Sequence, residues 1–401
     1  MSGTPPVRRR AASAPRRRPP RRLKVGVVGT GIGRAHIEAY RSLPELFEVV
    51  AVCDVDRGRA AAAAAAYGIP RVVTELAELC TVDGLDVVDI CTPPYLHAAQ
   101  TIQALETGRH VICEKPLAGS LRDADRVAEA EKRSGRRVMP VFQYRFGHGA
   151  QRLKLLLERG ITGAAYLTTV ETAWRRRPPY YAVPWRGRWA TELGGPLVNL
   201  AIHAHDLVYY LLGPARRAYA SLTTRVNAIE TEDCATASLE MRDGSLCTLS
   251  VTTGSAREIS RHRFCFANLS AESNTEPYRS THDPWTFTGD TPDIDARIQR
   301  ELARFRPAPE GFAGQFARFH RALHAGTALP VTVADGRAAL ELITALYESA
   351  RTRCPVELPI GRTHPLYGGW QPAAGADGRT VRETRVAPVG RGRVPARDRR
   401  A

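Results

Sequence analysis

At 401 residues, with 43% hydrophobic and 24% charged residues, the chain has the length of two or three domains and the composition of an ordinary globular protein. That excludes a fibre, a short peptide and a wholly disordered chain. The net charge of +16 sits mostly at the ends: residues 1–22 hold eight Arg and no acid, and Gln371–Ala401 holds eight Arg against Asp377, Glu383 and Asp398. The body between them is nearly neutral, so a nucleic-acid-binding domain is not expected. Residues 1–22 and 363–401 are expected to be disordered basic arms, too poor in large apolar residues to bury a core. Contact with phosphate or anionic lipid stays open for those arms alone.

No apolar run approaches the roughly 20 residues of a membrane span. The apolar stretch after Arg21-Arg22 leads straight into a glycine motif rather than an export cleavage site. Eight Cys occur without a Cys-x-x-Cys pair, and Cys53, Cys91 and Cys113 fall in apolar runs, the setting of reduced, packed thiols. A cytoplasmic protein is the expectation.

Residues 23–142 alternate short apolar runs with helical patterns, which points to a parallel sheet. The strand candidates are Leu23–Val28, Val49–Cys53, Val87–Cys91, His110–Cys113 and Val138–Phe142. Between the second and third, a helix is expected from Asp56 through the alanine block to Gly68, with Pro70 beyond as a stop signal. From residue 143 to 362 the pattern turns β-rich, at Ala164–Thr172, Ala218–Arg225, Ala235–Glu240 and Ser245–Thr252, and implies a second, mostly antiparallel sheet. Asn268–Pro309 reads as a long excursion with one helix near Ile294–Phe305. Helices over Phe312–Ala325 and Ala334–Arg351 and an edge strand over Cys354–Ile360 close the body.

Chemistry-bearing residues gather at the expected carboxyl ends of the first-domain strands, where open α/β sheets bind ligands. Gly29, Gly31, Ile32 and Gly33 lie between a strand and a helix, the place for a pyrophosphate: glycines admit close backbone approach and the helix N-terminus carries partial positive charge. Arg34 stands where the usual fingerprint has its third glycine. Asp54 ends the second strand and suits the adenosine ribose hydroxyls. Its charge would repel a 2′-phosphate, so NAD is favoured, with NADP left possible by Arg57 and Arg59. Thr92-Pro93-Pro94 and His97 follow the third run: a rigid wall for the nicotinamide, and an imidazole that is either a cofactor contact or a helix-surface group. Glu114-Lys115-Pro116 follows the fourth, where a partly desolvated amine would be poised for proton transfer and Glu114 would orient it; a surface Glu-Lys pair is the other reading.

Farther on, Gly194-Gly195-Pro196 opens a helical pattern. On it Leu197, Leu200, Ala204, Leu207 and Leu211 make an apolar stripe, and Asn199, His203, Asp206 and Tyr210 a polar one. His205 lies off the polar stripe. Upstream, Tyr180, Tyr181, Trp185, Arg186 and Trp189 offer the flat faces and fork of a sugar cleft, or plain packing. His203 and His205 lack a third ligand for zinc, so no metal is expected.

These motifs resemble the glucose–fructose oxidoreductase / inositol dehydrogenase / rhizopine catabolism family (Gfo/Idh/MocA) over about residues 23–360. The resemblance is carried by Gly29-Thr30-Gly31-Ile32-Gly33-Arg34-Ala35-His36, Thr92-Pro93-Pro94-Tyr95-Leu96-His97, Gly108 through Leu117, Gln143-Tyr144-Arg145-Phe146, and the segment from Gly194 to Asp206. It implies an N-terminal Rossmann domain (23–142) and a C-terminal α/β domain (143–362) on an open sheet that joins dimers or tetramers. It also implies NAD(P)-linked oxidation of a ring hydroxyl of a sugar or inositol. Lys115 and His203 take the family's catalytic positions. Asn199 stands where many members carry Asp; its amide can position a hydroxyl or Lys115 but cannot accept a proton. Arg145, Trp185, Arg186, Asn199 and His203 fall with the substrate contacts. Two other functions fit the same scaffold: a dinucleotide-binding regulator without turnover, and a redox-assisted lyase, glycosidase or reductase.

Overall fold

The computed structural model describes residues 21–372. Its first sheet has six parallel strands: β1 (Leu23–Val28), β2 (Phe47–Cys53), β3 (Arg71–Val73), β4 (Val87–Ile90), β5 (His110–Cys113) and β6 (Val138–Pro140), in the order β3-β2-β1-β4-β5-β6. The order reverses at β1, and the β1–β4 crevice is the switch point at which such folds bind dinucleotides. β1, β4 and β5 are buried almost throughout, as strands covered on both faces by helices must be. The alanine block forms a helix, Arg57–Tyr67, capped by the Asp56 side chain and stopped by Gly68 at a left-handed φ of 67°. β3, three residues long, carries too little pattern to be foreseen.

The second sheet has eight strands: β7 (Ala165–Arg175), β8 (Ala215–Thr223), β9 (Cys234–Met241), β10 (Leu246–Thr252), β11 (Gly254–Phe266), β12 (Leu269–Glu272), β13 (Thr286–Gly289) and β14 (Val356–Glu357). Their order is β13-β12-β11-β7-β10-β9-β8-β14, antiparallel except for the β7–β10 pair. Three expectations are corrected here. β11, thirteen residues long, was not foreseen, because Arg257, Arg261 and Arg263 break up its apolar signal. The expected excursion after Asn268 contains β12 and β13, which add to the β11 edge. The final edge strand shrinks to two residues against β8.

The body also extends past the expected boundary at 362. Pro365–Gly368 forms a turn of 3-10 helix, and the buried Trp370 stacks on Tyr347 while its indole N–H donates to the Leu193 carbonyl at 2.6 Å. At the other end, Arg21 pairs with Asp86. The rest of both expected arms lies outside the described residues. Helices Gly311–Ala325 and Val333–Thr352 tie the halves together, the first packing on helix Gly33–Arg41 of the Rossmann half, the second on β8 and on helix Leu121–Ser134. Among the described residues no helix is long and apolar enough to cross a membrane.

Candidate active site

At the glycine loop Gly29 and Gly33 answer separate steric demands, and Gly31 leaves open space. Gly29 has φ +91°, and a Cβ there would stand 2.5 Å from the Cys91 carbonyl oxygen. A Cβ on Gly33 would meet Val27 Cγ1 at 2.9 Å, so the helix packs on β1 only without one. At Gly31 nothing lies within 4 Å, leaving open backbone beside the N-terminus of helix Gly33–Arg41. Exposed Ile32 sits in the same loop. Open amides next to a helix N-terminus fit a pyrophosphate.

Asp54, just past β2, accepts from the Thr30 amide at 2.9 Å and hydroxyl at 2.7 Å, and from Arg59 at 2.8 Å. Burial pushes its carboxyl up, but these donors prevail and hold it below the ordinary range. An ionised Asp54 fits a ribose diol and disfavours a 2′-phosphate. Arg59, which might have served NADP, is committed to that same carboxylate.

At the next strand ends, Thr92 hydrogen-bonds Gln100 and Pro93 leads into the short helix Pro94–Leu96. His97 departs from expectation. It is buried, with Nδ1 2.7 Å from the Pro116 carbonyl and Nε2 2.8 Å from the Thr92 carbonyl. Rather than lying on a helix surface or offering a nitrogen to the cofactor, it clamps the two loops that form the crevice wall.

Lys115 follows β5 at a cis Lys115–Pro116 bond. Its Nζ donates to the Asn199 backbone carbonyl at 2.9 Å and lies 4.0 Å from Glu114 Oε2. Burial lowers the pKa of the amine, Glu114 and Glu192 raise it, Arg186 lowers it further, and the net direction is down. His203 is pushed down to about 3, by burial and then by the Lys115 charge. It stacks on Tyr144 at 5.1 Å between ring centroids, and its Nδ1 is buried without a hydrogen-bond partner among the described residues. Amine and imidazole, 88 positions apart in the chain, therefore share one neighbourhood, with the imidazole neutral and the amine anchored.

The expected single helix after Gly195 is two, Pro196–Asn199 and Ile202–Leu212, broken at Leu200-Ala201. Pro196 starts the first turn, and Glu232 accepts from the amides of Gly195 and Leu197. A Cβ on Gly195 would stand 1.8 Å from the Glu232 carbonyl oxygen, so glycine is obligatory at that approach. Asn199 is placed differently from expectation. Its side-chain amide donates to the carbonyls of Glu192 and Gly194 at 3.1 and 2.9 Å, leaving its backbone oxygen to hold Lys115.

Arg145 also departs from the substrate-contact expectation. Its guanidinium is buried, donating to Asp206 at 2.7 Å and to Asp335 at 3.0 Å. Burial pushes the Asp206 carboxyl up to about 6 against the pull of Arg145. The two carboxylates engage Nε and Nη2, so Arg145 joins three segments of the fold, while its Nη1 makes no hydrogen bond among the described residues.

The aromatic cluster does reach the site. Arg186 lies between the Tyr180 and Trp185 rings, 3.9 and 4.2 Å from their centroids, a cation–π sandwich. It hydrogen-bonds Tyr180 and pairs with Glu192 at 3.2 Å. Glu192 was missed in the sequence. It is buried, its carboxyl is raised by burial, and both Arg186 and Lys115 act on it. Its one signal was an acid among the aromatics of Trp189-Ala190-Thr191-Glu192.

Residues 23–142 match the GFO_IDH_MocA model, described as an oxidoreductase family with an NAD-binding Rossmann fold, and residues 150–266 match the GFO/IDH/MocA C-terminal domain. The chain belongs to the Gfo/Idh/MocA oxidoreductase family. Its first half is accordingly the family's NAD-binding domain, and the glycine loop and Asp54 fit that cofactor. Among Gfo/Idh/MocA relatives, D-glucoside 3-dehydrogenase of Escherichia coli is 27% identical, over 84% of this chain and 97% of its own. D-apiose dehydrogenase of Paraburkholderia graminis is 31% identical over 60% of this chain and 63% of its own. The WlbA dehydrogenase of Bordetella pertussis, solved with NADH and UDP-GlcNAcA, superposes with a TM-score of 0.73 at 27% identity, covering 85% of this chain and 100% of that one.

Proposed function

We propose that this oxidoreductase acts on a secondary ring hydroxyl of a sugar, a polyol or a sugar derivative, with NAD as acceptor and His203 and Lys115 as the proton-handling groups. The observation that carries the reading is the Lys115 amine at the carboxyl edge of the NAD-binding sheet, anchored on the Asn199 carbonyl four residues before His203, a buried imidazole on which the Lys115 charge acts. NAD, when bound, supplies the hydride acceptor. The chain's own part is electrostatic and steric. The Lys115 ammonium stabilises negative charge developing on the substrate oxygen, and His203 accepts the hydroxyl proton. Burial and the neighbouring cation both hold His203 neutral beforehand; an alkoxide forming between the two groups supplies the negative charge that raises its affinity for the proton. Asn199 takes no proton and fixes the amine through its carbonyl.

Arg186, with Tyr180 and Trp185, supplies flat faces and a cation for the ring or an attached acidic group. That relatives are named for glucosides and apiose, and that the Bordetella protein was solved with a nucleotide sugar acid, supports a carbohydrate substrate here.

The test is to follow NADH absorbance with purified protein, NAD and a panel of polyols, aldoses, glycosides and sugar acids. Turnover on at least one carbohydrate is expected. Tight NAD binding with no reduction across the panel would favour a regulatory role, and aglycone release without net NADH a redox-assisted lyase.

We further infer that the outer face of the second sheet joins two or more copies of the chain. Leu167 and Leu246 are register partners on that face and are exposed, and Tyr219 is exposed one row further on. Thr169, Thr248, Ser238 and Ser221 add short hydroxyls, and Arg217, Glu240, Arg261 and Arg263 charged side chains, to a face that no helix covers among the described residues. Light scattering should report a dimer or tetramer that Leu246→Lys dissociates; a monomeric native chain at micromolar concentration would remove the inference.

A further inference from the structure

Behind Lys115 the Rossmann core contains a chain of ionisable groups with no part in packing alone. Glu114 Oε1 lies 3.0 Å from His36 Nε2, and His36 Nδ1 lies 2.9 Å from Asp89 Oδ2. Tyr40 donates its hydroxyl to the same Asp89 oxygen at 2.9 Å, and Cys91 Sγ stands 3.3 Å from His36 Nδ1. His36 and Asp89 have no exposed surface. His36, Asp89 and Cys91 each bring a metal-ligating atom within 4.8 Å of the others. Both nitrogens of His36 already face carboxylates, however, so a ligand lone pair is available on neither.

A neutral imidazole has one N–H and one lone pair, and between two carboxylates its lone pair would oppose an anion. Only the imidazolium donates both ways. Burial alone would pull the His36 pKa down, yet Asp89 first and Cys91 after it reverse this and hold it well above the ordinary value. Glu114 is buried as well, and His36 and Lys115 hold its carboxyl down at about 2. From the core to the crevice the charges thus alternate: Asp89, His36, Glu114, Lys115. The other groups against His36 are Phe312 and Phe316, which carry no charge; those acting on Lys115 are Glu114, Arg186 and Glu192.

We propose that His36 is a positioning residue for the reaction: clamped by Asp89, it keeps Glu114 ionised and aimed, and Glu114 in turn sets the charge of Lys115. The kinetic part rests on the reading of Lys115 above, while the charge state of His36 does not. Without the imidazolium, a buried Glu114 beside Asp89 takes up a proton, Lys115 loses its counter-charge, and its ammonium gives up a proton at lower pH.

The experiment has two arms on the full chain. In 15N-histidine spectra at pH 8, one imidazole should have both nitrogens protonated, and that signal should vanish in His36→Gln. In pH profiles of turnover on the best carbohydrate of the panel, activity that needs the Lys115 ammonium is lost as pH rises through its pKa. His36→Gln should move this alkaline limb down by about one pH unit and lower kcat by about tenfold, with KM for NAD within about twofold. Asp89→Asn, which relieves the need for an imidazolium, should move the limb the same way by less, and serves if His36→Gln does not fold. A wild type with every histidine neutral at pH 8 overturns the proposal, as do folded variants whose limbs coincide with the wild type. Absence of any turnover would sink the dehydrogenase reading, and the nitrogen spectra would still decide the state of His36.

Discussion

Lys115 is pulled both ways: burial and Arg186 favour the free amine, Glu114 and Glu192 the ammonium. A residue in that position is sensitive to replacement in a particular manner. Lys115→Met should lower turnover by about two or more orders of magnitude, the usual range for a proton-handling group, while NAD binding measured by fluorescence titration survives. Near-normal turnover would remove Lys115 from the chemistry. Lys115 stood out in the sequence because it follows a strand at the sheet's carboxyl edge, and His203 because it lies on a polar stripe of an otherwise apolar helical segment. Glu114 was legible beside Lys115, whereas the groups behind and across from it were not. Asp89 hides inside Val87-Val88-Asp89-Ile90, an apolar run by any count, and Asn199 attracted notice for its side chain although its backbone oxygen makes the contact that matters.

At the scale of elements, Arg145 shows why a correctly noticed residue can be misassigned. Its motif, Gln143-Tyr144-Arg145-Phe146, was visible, but its partners Asp206 and Asp335 lie 61 and 190 positions away, and no local pattern reports a contact at that range. The pair joins the 3-10 turn after β6 to helices Ile202–Leu212 and Val333–Thr352. Arg145→Met leaves Asp206 buried without its cation. The expected loss is about 3–5 kcal/mol in chemical denaturation; a loss below about 1 kcal/mol would mean that the carboxyls neutralise themselves by taking up protons. Strands with a near-continuous apolar run, such as β1, β4 and β5, or with apolar-polar alternation, such as β9 and β10, were legible. β11 was not, because its outward positions carry arginines and two of its regularly alternating buried positions, Ser260 and His262, are polar.

For the whole molecule, buried histidines dominate the response to acid. Burial pushes His203 and His205 down to about 3, and His110 and His262 to about 4. Each binds a proton in the unfolded chain near pH 6.5 but not in the folded one until far lower, so the stability they contribute is present above that pH and is lost as pH falls toward 4. Asp206, Glu232 and His36, whose pKa values are raised, work in the opposite sense as pH rises. Glu232, at about 7, is the largest of these carboxyl effects. Four histidines outweigh them over this window. Thermal midpoints should therefore fall between pH 7 and pH 5 at constant ionic strength, and a flat profile would contradict the burial of these rings.

The hydrogen bond from Lys115 to the Asn199 carbonyl spans the two halves of the molecule. It is made by the same amine to which the proton handling is assigned in the proposed function. If the halves hinge apart, the ammonium loses its acceptor and its distance from His203 grows in the same motion, so a gaping crevice is also a disarmed one. Commitment to the reaction and closure over the substrate are then a single mechanical event, with no separate trigger required.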